Sequence, residues 1–145
     1  IKNALFGLIR ESDYCLKAAS FDTIICSSVI EYVERDEEFI RMLSDLLKPG
    51  GHLIISMPNA LSIVGRLVDL QKCSWVMHWR PSTQYLKYSL RRYSRQSVVL
   101  LCEQAELRVV KTVCFELPFC GLIAVPLSRI PLLGVMRLTI ARKVG

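Results

Sequence analysis

Two stretches of the sequence decide the fold class: residues 21–27 read FDTIICS and residues 47–59 read LKPGGHLIISMPN. The first is a short apolar run, rich in β-branched residues, that ends in small polar residues. Such a run is typical of a central strand of a parallel sheet, buried on both faces. In the second stretch a Pro-Gly-Gly turn precedes a similar run, which Pro58-Asn59 closes. The two stretches predict neighbouring strands.

The residues between these strands predict a helix. Asp36 can cap its amino terminus, and two glutamates follow in the first turn, where the helix dipole favours acidic groups. Pro49-Gly50-Gly51 is expected to end the helix. Its apolar residues fall on one helical face; these residues are Phe39, Ile40, Leu43, Leu46 and Leu47. Strand, helix and strand over residues 21–59 predict a right-handed βαβ unit with parallel strands. Ligands of open α/β sheets bind at the carboxyl ends of the strands, which the loop at Ser27-Ser28 opens here.

The rest of the chain predicts a helix over residues 60–71, an aromatic and basic segment over 72–95, and a second helix that Ser94 caps and that runs to Ala105. Strands are expected over residues 107–117 and 135–143, joined by an apolar loop that prolines interrupt. Helical periodicity is poor in the segment 72–95, which favours a lid over a substrate rather than a reader of nucleic acid. A nucleic-acid partner is therefore disfavoured.

Composition narrows the class of protein. The chain has 145 residues, of which 52% are hydrophobic and 22% charged, which excludes a disordered chain and fits one domain. Residues 1–71 carry 7 basic and 10 acidic side chains, whereas residues 72–145 carry 12 and 3. The basic second half is expected either to meet an anionic partner or to form a solvated surface, because charge alone does not select a ligand. The six cysteines form no C-x-x-C pair, as expected in a reducing, cytoplasmic compartment. The alternative to a cytoplasmic protein without membrane contact is peripheral contact with a membrane through residues 117–136. A membrane-spanning helix is not expected, since prolines interrupt every stretch long enough to span a bilayer.

Three motifs together resemble one family. They are FDTII at residues 21–25, VIEYV at 29–33 and LKPGGHLIISMPN at 47–59. They are similar to the patterns F-D-x-I, V-L-E-H-V and L-K-P-G-G-x-L-x-I-S-x-P-N in the second half of class I S-adenosylmethionine-dependent methyltransferases of the ubiquinone-biosynthesis-like, small-molecule type. The resemblance implies an α/β fold, a partial Rossmann-like methyltransferase sheet in which residues 107–145 form a carboxyl-terminal antiparallel hairpin. It also implies methyl transfer from S-adenosylmethionine to a small-molecule or lipid-linked acceptor.

The resemblance assigns candidate site residues. The expected cofactor-binding residues are Asp13, Cys26, Ser27, Ser28 and Val29. The expected substrate-side residues are Glu31, Tyr32, Asn59, Trp79 and Tyr85, with Tyr32 standing where the family often has histidine. His78 is the candidate general base, because a histidine beside aromatic and basic residues can take a proton from an acceptor. No metal site is expected, since two histidines and no acid-histidine pair at ligand spacing do not make one.

One family motif has no counterpart in the sequence. The family binds its cofactor with a G-x-G-x-G loop, and none of the seven glycines here lies two residues from another. We therefore expect residues 1–145 to form a single partial methyltransferase domain whose amino-terminal strands are missing. The open sheet edge would then be covered by a second copy, by a partner chain or by residues 1–20. The alternative function is a catalytically inert module that binds a partner protein or a membrane surface.

Overall fold

The computed structural model describes residues 16–63, residue 66, and residues 89–115 and 130–145. Four strands are described: β1 (Phe21–Ser27), β2 (Leu47–Pro58), β3 (Leu107–Phe115) and β4 (Met136–Lys143). Two α-helices, α1 (Asp36–Leu46) and α2 (Arg95–Gln104), and a short 3-10 helix (Ile30–Tyr32) complete the described elements. Most of the predicted helix over residues 60–71, most of the segment 72–95 and most of the apolar loop before β4 lie outside the described residues.

The predicted βαβ unit is present, because β1 and β2 pair in parallel with α1 between them. The helix ends earlier than expected, at Leu46, and β2 begins directly at Leu47. Between the pairs Phe21–Leu47 and Thr23–His52 the register shifts, so the Lys48–Gly51 turn bulges out of the ladder. Gly50 adopts φ +78°, and a Cβ on Gly51 would lie 3.1 Å from the Asp22 carbonyl oxygen. Both glycines are therefore required by this turn.

Helix α1 has the sequence pattern of a surface helix, with an apolar face toward the sheet and acidic residues in its first turn. Ile40 and Leu43 are buried against the sheet, and the acidic residues 36–38 lie in the first turn. Asp36 is the first residue of the helix rather than its cap, which is Arg35 and makes no side-chain capping bond. The Asp36 carboxylate is held by other partners, described below.

The cap of helix α2 was predicted correctly. The Ser94 hydroxyl accepts a hydrogen bond from the Ser97 amide at 3.1 Å, which satisfies one free donor of the first turn. Val98, Leu101 and Cys102 are buried, as their spacing predicted, and Val99 is half-buried. The helix thus packs one face onto the sheet.

The four strands form one sheet in the order β1-β2-β4-β3. β4 runs antiparallel to both neighbours, so the expected carboxyl-terminal hairpin is confirmed, and β3 runs in the same direction as β1 and β2. One face of the sheet and the two helices enclose the core, which includes Leu53, Ile55, Val98 and Leu101. This mixed sheet confirms the expected α/β fold class.

The prediction that β1 is buried on both faces was wrong. Within the described residues β1 is an edge strand, and Ile25 is 71% exposed. The helices cover only the face that carries Cys26, whereas Ile25 points to the other face because strand side chains alternate. The residue pattern of a strand covered on both faces is thus present, but elements of the described part of the chain cover only one face.

Candidate functional site

A sharp turn ends β1 at the edge of the sheet where parallel strands present their carboxyl ends. Ser28 has φ +53°, a left-handed conformation that is uncommon for a residue with a Cβ and that concentrates at functional sites. Ser56 of the neighbouring strand holds this turn, because the Ser28 amide donates to the Ser56 hydroxyl at 3.0 Å. The hydroxyl oxygens of Ser27 and Ser56 also lie 3.0 Å apart. The expected cofactor loop is therefore a braced turn.

Of the other expected cofactor-binding residues, Cys26 is buried and Val29 is exposed. Cys26 is buried, and burial, together with the negative charge of Glu31, raises the pKa of its thiol to about 11. Its side chain is therefore a neutral core group, and only its backbone borders the turn. Val29 is 43% exposed directly after the turn. Ser28 and Val29 thus present backbone and apolar surface to a ligand at this edge.

The 3-10 helix after the turn carries a buried carboxylate. Glu31 is completely excluded from solvent, and neither of its carboxylate oxygens has a hydrogen-bond partner among the described residues. Burial raises the pKa of Glu31 above its ordinary value. The next residue, Tyr32, is exposed at the surface, and burial of part of its ring and the charge of Glu31 raise the pKa of its hydroxyl. An uncompensated acid group therefore lies beside the β1 turn.

Tyr93 connects three elements around this acid group. Its amide donates to the Pro58 carbonyl at 2.9 Å at the end of β2, and its hydroxyl donates to Asp36 at 3.0 Å at the start of α1. Arg91 forms a salt bridge with the same carboxylate. Burial alone raises the pKa of Asp36, but the hydrogen bonds from Arg91 and Tyr93 outweigh it and lower that pKa. Tyr93 itself is buried, and its hydroxyl also lies 3.4 Å from the Ile30 carbonyl oxygen, so the clamp contacts the start of the 3-10 helix as well.

Asn59 lies in a buried polar network, not on the substrate side where it was expected. Its amide nitrogen donates to the carbonyl oxygens of Pro131 and Gly134 at 2.6 and 2.8 Å. Its amide oxygen accepts from the Leu61 amide at 3.2 Å and from Arg137 Nη2 at 2.8 Å. Both donors and both acceptor positions of this fully buried amide are thus engaged within the chain. Asn59 joins the end of β2 to the start of β4.

Four predicted site residues lie outside the described residues and remain predictions: Asp13, His78, Trp79 and Tyr85. Among the described residues no group of three or more His, Cys, Asp or Glu side chains is placed to hold a metal ion. No helix in the described part of the chain is long and apolar enough to cross a membrane. The described site therefore consists of the β1 turn, Glu31 and the clamp at Tyr93.

Sequence reasoning missed two residues that organise this edge. Tyr93 was included only as a member of the aromatic and basic segment, although its place directly before the helix cap Ser94 is a local signal for an ordered residue. Arg137 was read as one residue of a strand. It is 3% exposed, and no local pattern distinguishes it from a surface arginine.

Comparison with known proteins identifies the family. A model of the methyltransferase domain family matches residues 4–112, and the chain belongs to this family. The ubiquinone biosynthesis O-methyltransferase of Xanthomonas euvesicatoria pv. vesicatoria is 42% identical over 52 residues, which are 32% of this chain and 22% of that protein. The resemblance to ubiquinone-biosynthesis-like methyltransferases is thus confirmed, and the match spans less than a quarter of that relative's length.

Solved structures support the fold. A SAM-dependent methyltransferase from Methanosarcina mazei superposes with a TM-score of 0.65 at 15% identity, over 98% of this chain and 68% of that one. The 1,6-didemethyltoxoflavin-N1-methyltransferase of Burkholderia thailandensis, solved with bound 1,6-didemethyltoxoflavin and S-adenosylhomocysteine, superposes with a TM-score of 0.54 at 14% identity, over 89% of this chain and 46% of that one. At these identities the likeness establishes a partial Rossmann-like methyltransferase fold.

Proposed function

We propose that this chain takes part in methyl transfer from S-adenosylmethionine to a small-molecule or lipid-linked acceptor. The observation that carries the proposal is the braced left-handed turn at Ser28, placed at the carboxyl end of β1 inside the span that matches the methyltransferase domain family. Methyltransferases whose names specify this cofactor share the fold. The comparisons do not favour the alternative of an inert binding module.

The described residues fit a cationic cofactor. S-adenosylmethionine supplies an activated methyl group on a positively charged sulfur, so positioning contributes most of the rate and few protein groups need to react. The negative charge of Glu31, buried and unpaired beside the turn, favours a cation at this edge. The exposed backbone and side chain at Val29 offer an apolar surface next to it. The chain therefore attracts and orients a sulfonium ligand here.

The acceptor side of the proposal rests on the segment after β2. His78 is proposed to take the proton that an oxygen or nitrogen acceptor loses, with Trp79 and Tyr85 covering the acceptor. Tyr93 lies near the carboxyl end of the segment 72–95. Its hydrogen bonds to Pro58 and Asp36 hold this end against β2 and α1. A lid over residues 72–95 would thus be anchored at its carboxyl end.

Isothermal titration with S-adenosylmethionine and with S-adenosylhomocysteine tests this function. Saturable binding is expected, and Glu31→Gln should weaken the affinity for the charged sulfonium about tenfold while changing the affinity for the uncharged product less. Glu37→Gln is the matched control, because it removes the same charge from an exposed position of α1. No detectable heat with the cofactor at about 1 mM, far above the micromolar range, would contradict the proposal.

A further inference from the structure

A cavity next to β3 is lined by two arginines, Arg95 at the start of α2 and Arg137 on β4. Its volume is about 450 Å³. Lys111 on β3 also borders it, but its side chain belongs to the other face of the sheet, because it lies three residues from Cys114, which pairs with Arg137. Because Cys114 and Arg137 are opposite each other in the β3–β4 ladder, the cavity lies toward the carboxyl end of β3. This is the same edge of the sheet as the β1 turn.

Arg137 is the central group of this cavity. The residue is 3% exposed, and its guanidinium donates from Nη2 to Asn59 at 2.8 Å, whereas its Nε–H has no acceptor among the described residues. A buried guanidinium normally pairs with a carboxylate or phosphate, because an unpaired charge in a protein interior costs free energy. Burial lowers the pKa of Arg137; Cys114 raises this pKa in part, and the charge of Arg95 lowers it again. The site is therefore short of negative charge.

The described acidic residues do not supply that charge. No salt bridge within the described ranges involves Arg95, Lys111 or Arg137. Two glutamates of the second half are described. Glu103 lies in the last turn of α2, about 12 Å along the helix from Arg95, and Glu106 follows the end of the helix. The free backbone amides at the start of α2 add further positive potential beside Arg95.

We propose that this cavity binds an oxyanion, a phosphate or carboxylate group, which accepts hydrogen bonds from Arg137 and is neutralised by Arg137 and Arg95. A planar guanidinium with a free N–H suits such a group, since arginine pairs with oxyanions through parallel hydrogen bonds. Thr112, on the same cavity wall, offers a hydroxyl. If the chain acts as proposed above, the oxyanion is part of the acceptor molecule. The acceptor would then be held beside β3 and β4, at the same edge of the sheet as the cofactor beside β1. This assignment of the oxyanion to the acceptor rests on the proposed function.

Titration with inorganic phosphate at constant ionic strength tests the site without cofactor or acceptor. The probe is the nitrogen–hydrogen resonance of Arg137 Nε, which should shift saturably with phosphate and remain unchanged with chloride. Arg95→Gln, at an exposed position and therefore expected to fold, should weaken binding about three- to tenfold. Arg108→Gln is the matched control, because it removes the same charge from the opposite end of β3 and should leave binding unchanged.

Three results would overturn the proposal: no saturable shift with phosphate, an equal loss of binding in Arg108→Gln, or phosphate binding that appears only in Glu116→Gln. The last would mean that the glutamate following β3 in the sequence already supplies the negative charge. Vesicles containing phosphatidic acid distinguish the two sources of the oxyanion. Co-sedimentation that Arg95→Gln abolishes supports the site with a lipid headgroup as ligand, and phosphate binding without co-sedimentation supports it with a soluble one. Failure to bind S-adenosylmethionine leaves this test unaffected.

Discussion

Glu31 and Arg137 are buried to a similar degree at the same edge of the sheet, yet their charges are held differently. Glu31 is 0% exposed and neither carboxylate oxygen accepts a hydrogen bond from a described residue, whereas Arg137, 3% exposed, donates one to Asn59. The arginine therefore belongs to a network that holds β2 and β4 together. The glutamate opposes folding at neutral pH, because burial disfavours its charged form more than its own backbone amide stabilises it.

The comparison also shows how the charge of the chain is distributed at this edge. β2 separates β1 from β4, so the two charged regions are about 10 Å apart in strand spacing. The acidic region beside β1 suits a cation, and the basic region beside β4 and β3 suits an anion. Four substitutions test this contrast, beginning with the largest expected effect.

Asn59→Ala should lower the free energy of unfolding by about 3 kcal/mol, because it leaves Arg137 and two carbonyl oxygens without their partner. Urea unfolding at pH 7 measures the change. Ser97→Ala, at an exposed position of α2, is the control and should cost less than about 1 kcal/mol. A loss below about 1 kcal/mol for Asn59→Ala would show that this network does not hold the edge.

Glu31→Gln should raise the free energy of unfolding by about 1–3 kcal/mol at pH 8, because it removes an uncompensated buried charge. The folded pKa of Glu31 is raised, so the wild-type chain loses stability as pH rises from the ordinary glutamate value through the folded one. The gain in the variant should therefore vanish toward pH 4, where Glu31 is protonated in both states. Urea unfolding between pH 4 and 8 decides this, and a gain that does not depend on pH would refute the charge explanation.

Tyr93→Phe should cost about 1 kcal/mol at pH 7, because the ring remains and only its hydrogen bond to Asp36 is lost. The pKa of Asp36 is lowered in the folded chain, so this contribution is present above the ordinary aspartate value and is lost as pH falls through the folded one. Thermal unfolding at pH 7 and at pH 2.5–3 (about one unit below the ordinary value) compares the two conditions. An equal loss at both would exclude the carboxylate as the partner that matters.

Ser28→Gly should raise the free energy of unfolding by about 0.5 kcal/mol, since glycine adopts φ +53° without the steric cost of a Cβ. Ser28→Ala is the matched control, because it keeps the Cβ and should bring no gain. Guanidinium unfolding of the two variants side by side measures the difference. An equal response of both variants would indicate that the turn is not strained.

The sequence predicted the local structure well where capping and periodicity carry the information. The bounds of β1 and the Ser94 cap of α2 match the structure. The end of α1 was misplaced, because Pro49-Gly50-Gly51 signals a turn equally well after a helix and inside a bulged strand. The Pro-Gly-Gly sequence therefore predicts the turn, but it does not show whether a helix or a strand precedes it.

The contacts that organise the site were harder to predict. Asn59 and Arg137 are 78 positions apart, and their hydrogen bond depends on β4 lying beside β2, which no local pattern states. Asn59 was expected on the substrate side from the family resemblance, but long-range packing buries it. Likewise, the apolar run of β1 predicts burial of both faces, whereas the described helices cover one.

The most direct test of the division of this edge is an amide NMR spectrum of the chain during titration with S-adenosylhomocysteine. If the cofactor occupies the β1 side, saturable shifts should concentrate at the amides of Ser27, Ser28 and Val29, while those of Thr112 and Arg137 stay unchanged. Saturable shifts centred on Arg137, or no shifts at Ser28 with the ligand at about 1 mM, would contradict the account.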